Sequence, residues 1–141
     1  MSSVLRVSDA AAMGLHAMVL LASRPDRRMS NAEIASILGV SAAHLSKVLQ
    51  RLHKAGMVES TRGPGGGFTL APGAQRLPLL TVYEAIEGPL KPNQCLLDSP
   101  ICGGRNCIFG HLLGRLNREA KQYLAKSRLK DLTAAYRSQK K

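Results

Sequence analysis

Two short amphipathic segments joined through a glycine constrain the fold of this chain more than any other feature. Ser30, followed three residues later by Glu33, forms the capping box that begins a helix, and Gly39 is typical of the residue just after a helix end. Ser41 is placed to cap a second helix, whose apolar residues recur at helical spacing: Leu45, Val48, Leu49 and Leu52. The pattern predicts a helix-turn-helix.

The outer face of the second helix is basic, with His44, Lys47, Arg51 and Lys54. The sequence has no acidic residue between Glu33 and Glu59. A plain helical hairpin with a solvated face is the alternative, but solvated faces usually mix both signs of charge. The whole chain carries a net charge of +11, from 20 Lys+Arg against 9 Asp+Glu. Both observations favour contact with the phosphates of double-stranded DNA.

A glycine-rich hairpin is predicted directly after this helix. Residues 58–60 and 68–70 have strand character and flank the tip sequence Arg-Gly-Pro-Gly-Gly-Gly. A hairpin in this place is typical of the wing of a winged helix. Gly65 and Gly66 would let the backbone lie close to the sugar-phosphate chain, and Arg62 would enter a minor groove. A nucleotide phosphate loop fits poorly, because no Gly-Lys-Ser/Thr and no helix follow the glycines.

All three cysteines of the chain lie in one polar stretch: Cys95, Cys102 and Cys107. We find no signal peptide and no apolar run of the roughly 18–20 residues that span a bilayer, so we expect a cytoplasmic protein without membrane contact. In that compartment clustered cysteines more often bind metal or react with oxidants than form disulfides. Cys107 is predicted to begin a long helix capped by Asn106, whose dipole would favour the thiolate.

Three thiolates leave a fourth metal ligand to be found. His111 lies one predicted helical turn after Cys107, and residues four apart on a helix share a face. His16, in the predicted first helix, is the alternative if that helix approaches the cysteine loop of either subunit. The residues alone leave this choice open.

The remaining segments complete a three-part organisation. Residues 1–77 are predicted to form a winged helix-turn-helix domain, and residues 78–106 a short helix and the cysteine loop. Residues 107–141 are predicted to form a dimerisation helix and a C-terminal tail with a last short helix at 131–137. One apolar stripe is expected on the long helix: Ile108, Leu112, Leu113, Leu116, Ala120, Tyr123 and Leu124. The predicted fold class is mostly α with a small β-hairpin.

The chain resembles the Rrf2 family of winged-helix transcription regulators, of the IscR and NsrR type. The residues that carry the resemblance are 14–23, 31–60, the wing 62–71, 80–89 and the three-cysteine loop before a long helix. The resemblance implies a homodimer with crossed long helices. It also implies that Arg62 faces the minor groove of DNA and that five residues face the major groove: Ser41, His44, Ser46, Lys47 and Arg51.

The resemblance further implies that the three cysteines hold an iron–sulfur cluster, with two or four irons, whose state changes DNA affinity. Relatives commonly space these cysteines five residues apart twice, whereas the gaps here are six and four. A ligand histidine of one relative aligns one place before His111. A first-helix histidine from the neighbouring subunit in another relative matches His16, and a first-helix aspartate lies close to Asp9. All three remain candidates for the fourth ligand.

The sequence therefore predicts a sequence-specific DNA-binding transcription regulator that senses redox state, iron–sulfur status or nitric oxide through its cysteines. A cluster-free thiol switch or a zinc-stabilised regulator of the same fold is one alternative, and an iron–sulfur carrier protein is another. No Ser-His-Asp set, carboxylate pair or phosphate loop in the sequence supports catalysis, so we expect neither an enzyme nor a small-molecule substrate.

Overall fold

The computed structural model describes residues 7–90, 95, 97, 101–102 and 106–139, with residues 138 and 139 as backbone alone. Within these residues the chain forms five α-helices: α1 Asp9–Ser23, α2 Asn31–Leu38, α3 Ala42–Lys54, α4 Leu79–Glu87 and α5 Leu112–Lys126. Two strands, β1 Val58–Thr61 and β2 Gly67–Leu70, pair antiparallel. Short 3-10 helices cover Ala74–Arg76, Leu129–Asp131 and Thr133–Gln139. The prediction of a mostly helical fold with one hairpin is confirmed.

The first three helices begin where their serine caps predict. Ser8, Ser30 and Ser41 each accept a hydrogen bond from the backbone N–H three residues later, at 3.1, 3.1 and 3.4 Å. Gly39 ends α2 in the left-handed conformation, with φ of 67°. The helices α2 and α3 meet at 115°, as in a helix-turn-helix. No single helix among the described residues is long and apolar enough to cross a membrane; α2 and α3 reach that length only as this bent pair.

The hairpin is anchored on the body of the protein by a third extended segment. Val58 pairs with Leu70 and Thr61 with Gly67. The backbone of Phe68 exchanges hydrogen bonds of 3.0 and 2.7 Å with Met29, which lies between α1 and α2. Gly67 passes so close to that segment that a Cβ would lie 2.5 Å from the Met29 carbonyl oxygen. The hairpin is therefore fixed to the helix-turn-helix rather than projecting freely.

One buried cluster joins the N-terminal and C-terminal parts of the chain. α1 packs against α3, α4 and the C-terminal 3-10 helices. The start of α4 is paired with the chain after α5, since Leu79 N–H donates to the Ser127 carbonyl at 2.8 Å and Leu129 N–H donates to the Leu77 carbonyl at 3.1 Å. The largest fully buried side chains include Met18, Leu20, Leu21, Ile34, Leu45, Leu49, Leu52 and Leu129.

The predicted start of the long helix at Cys107, with Asn106 as its cap, is wrong. The residues after Cys107 form turns, and α5 begins at Leu112. Gly110 has φ of 58°, a left-handed conformation that interrupts a right-handed helix. Ile108, expected in the apolar stripe, is 88% exposed. Cys107 therefore does not lie at a helix N-terminus, and neither the dipole argument nor a shared helical face with His111 applies.

Candidate DNA interface and cysteine segment

The exposed side of α3 and the wing together form a groove of about 400 Å³. Six side chains line it: Ser46, Gln50, His53, Ser60, Arg62 and Phe68. The structure thus brings together Ser46 and Arg62, two residues predicted to contact DNA. The side chains of Ser41, His44 and Lys47 are also exposed on α3 or at its start. A basic helix beside a glycine-rich wing has the form and charge of a surface for duplex DNA.

Four residues of this groove were not predicted to contact DNA: Gln50, His53, Ser60 and Phe68. Ser60 and Phe68 lie on the wing strands, and Gln50 and His53 lie on α3. These two α3 residues follow Ser46 by four and seven residues, so they lie one and two helical turns along the same face. Helical spacing from Ser46 is the signal that could have found them. His53 Nδ1 donates to the Val58 carbonyl at 3.1 Å and so joins the end of α3 to the first wing strand.

The wing tip is a tight turn, and Arg28, which lies outside the hairpin, forms a hydrogen bond to it. A Cβ on Gly66 would lie 2.3 Å from the Thr61 carbonyl oxygen and 2.7 Å from that of Gly63, so the turn requires glycine there. Arg28 Nη1 donates to the Gly65 carbonyl at 3.1 Å. Arg62 remains exposed beside this turn.

Arg51, like His53, has a hydrogen-bond partner within the protein. Its Nη1 donates to the Ile86 carbonyl at the end of α4, at 3.4 Å. The guanidinium therefore reaches towards α4, while the residue as a whole stays exposed.

Each of the three cysteines is half-buried and keeps its thiol outside any disulfide. Cys95 Sγ accepts a hydrogen bond from the Leu97 N–H and Cys107 Sγ accepts one from the Phe109 N–H, each at 3.4 Å. Thiols with backbone N–H donors are the donor chemistry of iron–sulfur sites. In the part of the chain that the structure describes, however, no three Cys, His, Asp or Glu side chains lie close enough together to hold a metal ion. The donor chemistry fits a cluster, but the structure does not gather the thiols around one point.

The two first-helix candidates for a fourth ligand, Asp9 and His16, line one cavity of about 450 Å³. His16 Nδ1 donates to the Ala12 carbonyl at 2.7 Å, which leaves Nε2 as the atom that can bind a metal. The opposite wall includes Ser41, the cap of α3, and Tyr136, whose pKa is raised by burial. His111 lies elsewhere, exposed at the residue before α5.

The long helix α5 has two apolar faces rather than the single predicted stripe. Leu113 and Leu124 are both buried, and Leu124 belongs to the main core cluster. Leu112, Leu116 and Tyr123 are 40%, 37% and 58% exposed, and their spacing of four and seven residues places them along one line. This second face has no apolar cover in the described structure.

A family model described as "Iron-dependent Transcriptional regulator", Rrf2, matches residues 7–135. The chain belongs to the Rrf2 family of transcription regulators. The predicted family is thereby confirmed, as is the prediction that the protein is not an enzyme. Transcription regulators of this family bind DNA.

Relatives and solved structures agree with this assignment. The chain is 40% identical over 83 residues to the regulator BadM of Rhodopseudomonas palustris, covering 59% of this chain and 53% of BadM. It is 31% identical over 93 residues to the regulator IscR of Vibrio campbellii, covering 66% of this chain and 55% of that IscR. The matched part thus spans about half the length of these relatives. The structure of CymR, described as the global cysteine regulator of B. subtilis, covers 93% of this chain and 98% of its own, with a TM-score of 0.74 and 28% identity.

Proposed function

We propose that this Rrf2 regulator is a homodimer that binds a specific DNA operator and senses redox state, iron–sulfur status or nitric oxide through a cluster on Cys95, Cys102 and Cys107. The observation that carries the proposal is the set of three half-buried cysteine thiols, outside any disulfide, in the segment between the winged-helix body and α5. Cysteines outside disulfides match the reducing cytoplasm, which we propose as the compartment.

The proposed DNA surface combines the major-groove side of α3 with the wing. Ser41, His44, Ser46 and Lys47 would contact the major groove, together with Arg51 as far as its bond to α4 allows. Arg62 would enter the minor groove, where a narrow width concentrates negative potential. The close turn at Gly65 and Gly66 would let the wing backbone approach a phosphate. Exposure of the basic side chains of α3 and the groove shared by Ser46 and Arg62 support this surface.

The proposed second copy covers the exposed apolar face of α5. Leu112, Leu116 and Tyr123 form an apolar line on a helix whose other side is already packed, so pairing with the same line of another chain would remove it from water. A two-fold dimer presents two recognition helices and two wings, which matches an operator with two half-sites.

The cluster, when bound, would add a redox-active group whose charge depends on its state. The three cysteines would supply its thiolates, and loading would draw them together, since metal binding and loop ordering are coupled. For the fourth ligand, the cavity on α1 supports His16 through its Nε2 or Asp9 through its carboxylate, and His111 remains the third candidate.

A cluster-free thiol switch is the second candidate, and a zinc site held by the same thiols is a variant of it. It is favoured by the finding that the described residues do not gather the three thiols. The visible absorption of protein purified without oxygen, with counts of iron and sulfide, separates the candidates. A cluster gives charge-transfer bands with both elements near stoichiometry, whereas zinc or a thiol switch gives a colourless protein.

DNA binding through the wing is tested by Arg62→Ala. The protein is expected to select a specific duplex from a random pool and to protect one site on it in a footprinting experiment. Its affinity for that duplex should fall steeply as the salt concentration rises. A homodimer carries two copies of Arg62, so the loss of this cation from both should lower the slope of log affinity against log salt by about 1.8, twice the roughly 0.9 of a single contact. The control is Arg137→Ala, an exposed arginine in the C-terminal 3-10 helix, which should leave the slope unchanged. An Arg62→Ala protein with the wild-type slope and affinity would remove the wing from the interface.

A further inference from the structure

The last turn of α4 is held by three separate contacts. Ser8, the cap of α1, donates its hydroxyl hydrogen to the Glu87 carboxylate. Arg51, in the last turn of α3, donates to the Ile86 carbonyl at 3.4 Å. The Ile86 side chain fills the space beside Gly14, where a Cβ would lie 2.1 Å from Ile86 Cδ1. Residues of both α1 and α3 thus contact the last turn of α4.

The bond from Arg51 satisfies a requirement of helix α4. The last carbonyls of a helix have no partner within it, and Ile86 supplies one of them. A cation at this end also interacts favourably with the negative end of the helix dipole. Within the described residues, the cap of α4 satisfies the Glu84 carbonyl, through the Gly88 N–H at 2.9 Å. Arg51 is therefore the side chain of α3 that caps α4.

The packing beneath this bond leaves little space for independent movement. Val48 of α3 and Ile86 of α4 are 4% and 9% exposed. Both approach the same bare position on α1, because a Cβ on Gly14 would also lie 3.2 Å from Val48 Cγ1. Close-packed interiors transmit a displacement rather than absorb it. A shift of the end of α4 would therefore move α3.

We propose that Arg51 is a positioning residue that couples the cysteine segment to the recognition helix through the Ile86 carbonyl. The chain leaves α4 at Gly88, with φ of 84°, and runs directly into the segment that contains Cys95. Rearrangement of that segment pulls on the turn that Arg51 holds, and Arg51 passes the displacement to α3. The inference rests on the proposed function, in which DNA and the cysteine segment are the two linked sites.

Coupling between two sites is reciprocal, so the inference can be tested without a cluster. The cluster-free dimer is equilibrated with a buffer of reduced and oxidised glutathione, with and without the duplex that it selects. The fraction of Cys95 that carries glutathione through reversible thiol–disulfide exchange is then measured by mass spectrometry. Since typical couplings correspond to about 5–150-fold, the duplex should change the equilibrium constant of this exchange at least about fivefold in the wild type. Arg51→Met, which keeps the apolar stem but loses the donors and the charge, should abolish the change.

Two further variants make the result specific to the bond. Arg137→Met makes the same substitution at an exposed arginine of the C-terminal 3-10 helix, outside the proposed DNA surface, and should keep the full effect of the duplex on Cys95. Arg51→Lys restores a cation at the end of α4 and should recover most of that effect. Thermal unfolding of each variant shows that the readout comes from folded protein.

The proposal is overturned if Arg51→Met keeps the wild-type effect of DNA on Cys95, whatever happens to its affinity. In particular, a salt slope lowered by about 1.8 for the dimer, with that effect intact, would make Arg51 a phosphate contact alone. A wild-type protein whose Cys95 does not respond to the duplex also overturns it. Different results would show that the proposed function itself is wrong: no duplex is selected, or protein purified without oxygen contains no iron.

Discussion

Replacing Leu116 by aspartate is expected to separate the two copies and to lower operator affinity by at least about 100-fold. The carboxylate would be buried in the proposed interface without a partner, and a buried unpaired charge is strongly unfavourable. A monomer also loses the advantage of binding a second half-site from the same complex, which raises affinity by about 10²–10⁴ when geometry permits. Sedimentation equilibrium gives the mass, and fluorescence anisotropy with the selected duplex gives the affinity.

Gln122→Asp is the matched control for Leu116→Asp. It adds the same charge to the same helix at an exposed position about a quarter turn from the apolar line. It should leave both the mass and the affinity close to those of the wild type. A Leu116→Asp protein that sediments as a dimer and holds the operator normally would show that this face of α5 does not pair the subunits.

Cys102→Ala is expected to abolish stable cluster loading while the dimer stays folded. Cys102 is one of three proposed thiolate ligands and lies outside the buried apolar core, so its loss removes a ligand without opening a cavity in that core. Iron and sulfide per chain should fall to near zero after anaerobic reconstitution. Far-ultraviolet circular dichroism and the melting temperature of cluster-free protein should match those of the wild type.

The control for Cys102→Ala is its neighbour Ile101, which is 86% exposed. Ile101→Ala changes the same segment without removing a sulfur and should load iron and sulfide as the wild type does. Full loading of Cys102→Ala would exclude Cys102 as a ligand and would require a different donor set.

Local chemistry made the DNA-binding half of the molecule predictable. Ser30 and Ser41 cap the helices that they were expected to cap, Gly39 ends α2, and the four apolar positions of α3 are buried. These features depend on residues within one turn of each other, so the sequence alone determines them. The glycine-rich wing was predictable for the same reason, because its tight turn requires glycine at positions such as Gly66.

The parts that sequence did not predict depend on conformation or on distant neighbours. Gly110 was expected inside a helix, but its left-handed φ delays α5 to Leu112 and removes the support for pairing Cys107 with His111. Which apolar residues of α5 are buried and which are exposed depends on how α5 packs against the rest of the protein. The bond from Arg51 to Ile86 joins residues far apart in sequence, which no periodicity indicates.

The central claim is that the state of the cysteine segment sets the affinity for DNA. Its most direct test measures operator affinity, at fixed salt and without oxygen, for one preparation of wild-type protein before and after removal of its iron by a chelator. The account predicts affinities that differ by about 5–150-fold, and no such difference for Cys102→Ala treated in the same way. Equal affinities for the iron-loaded and iron-free wild type would contradict it.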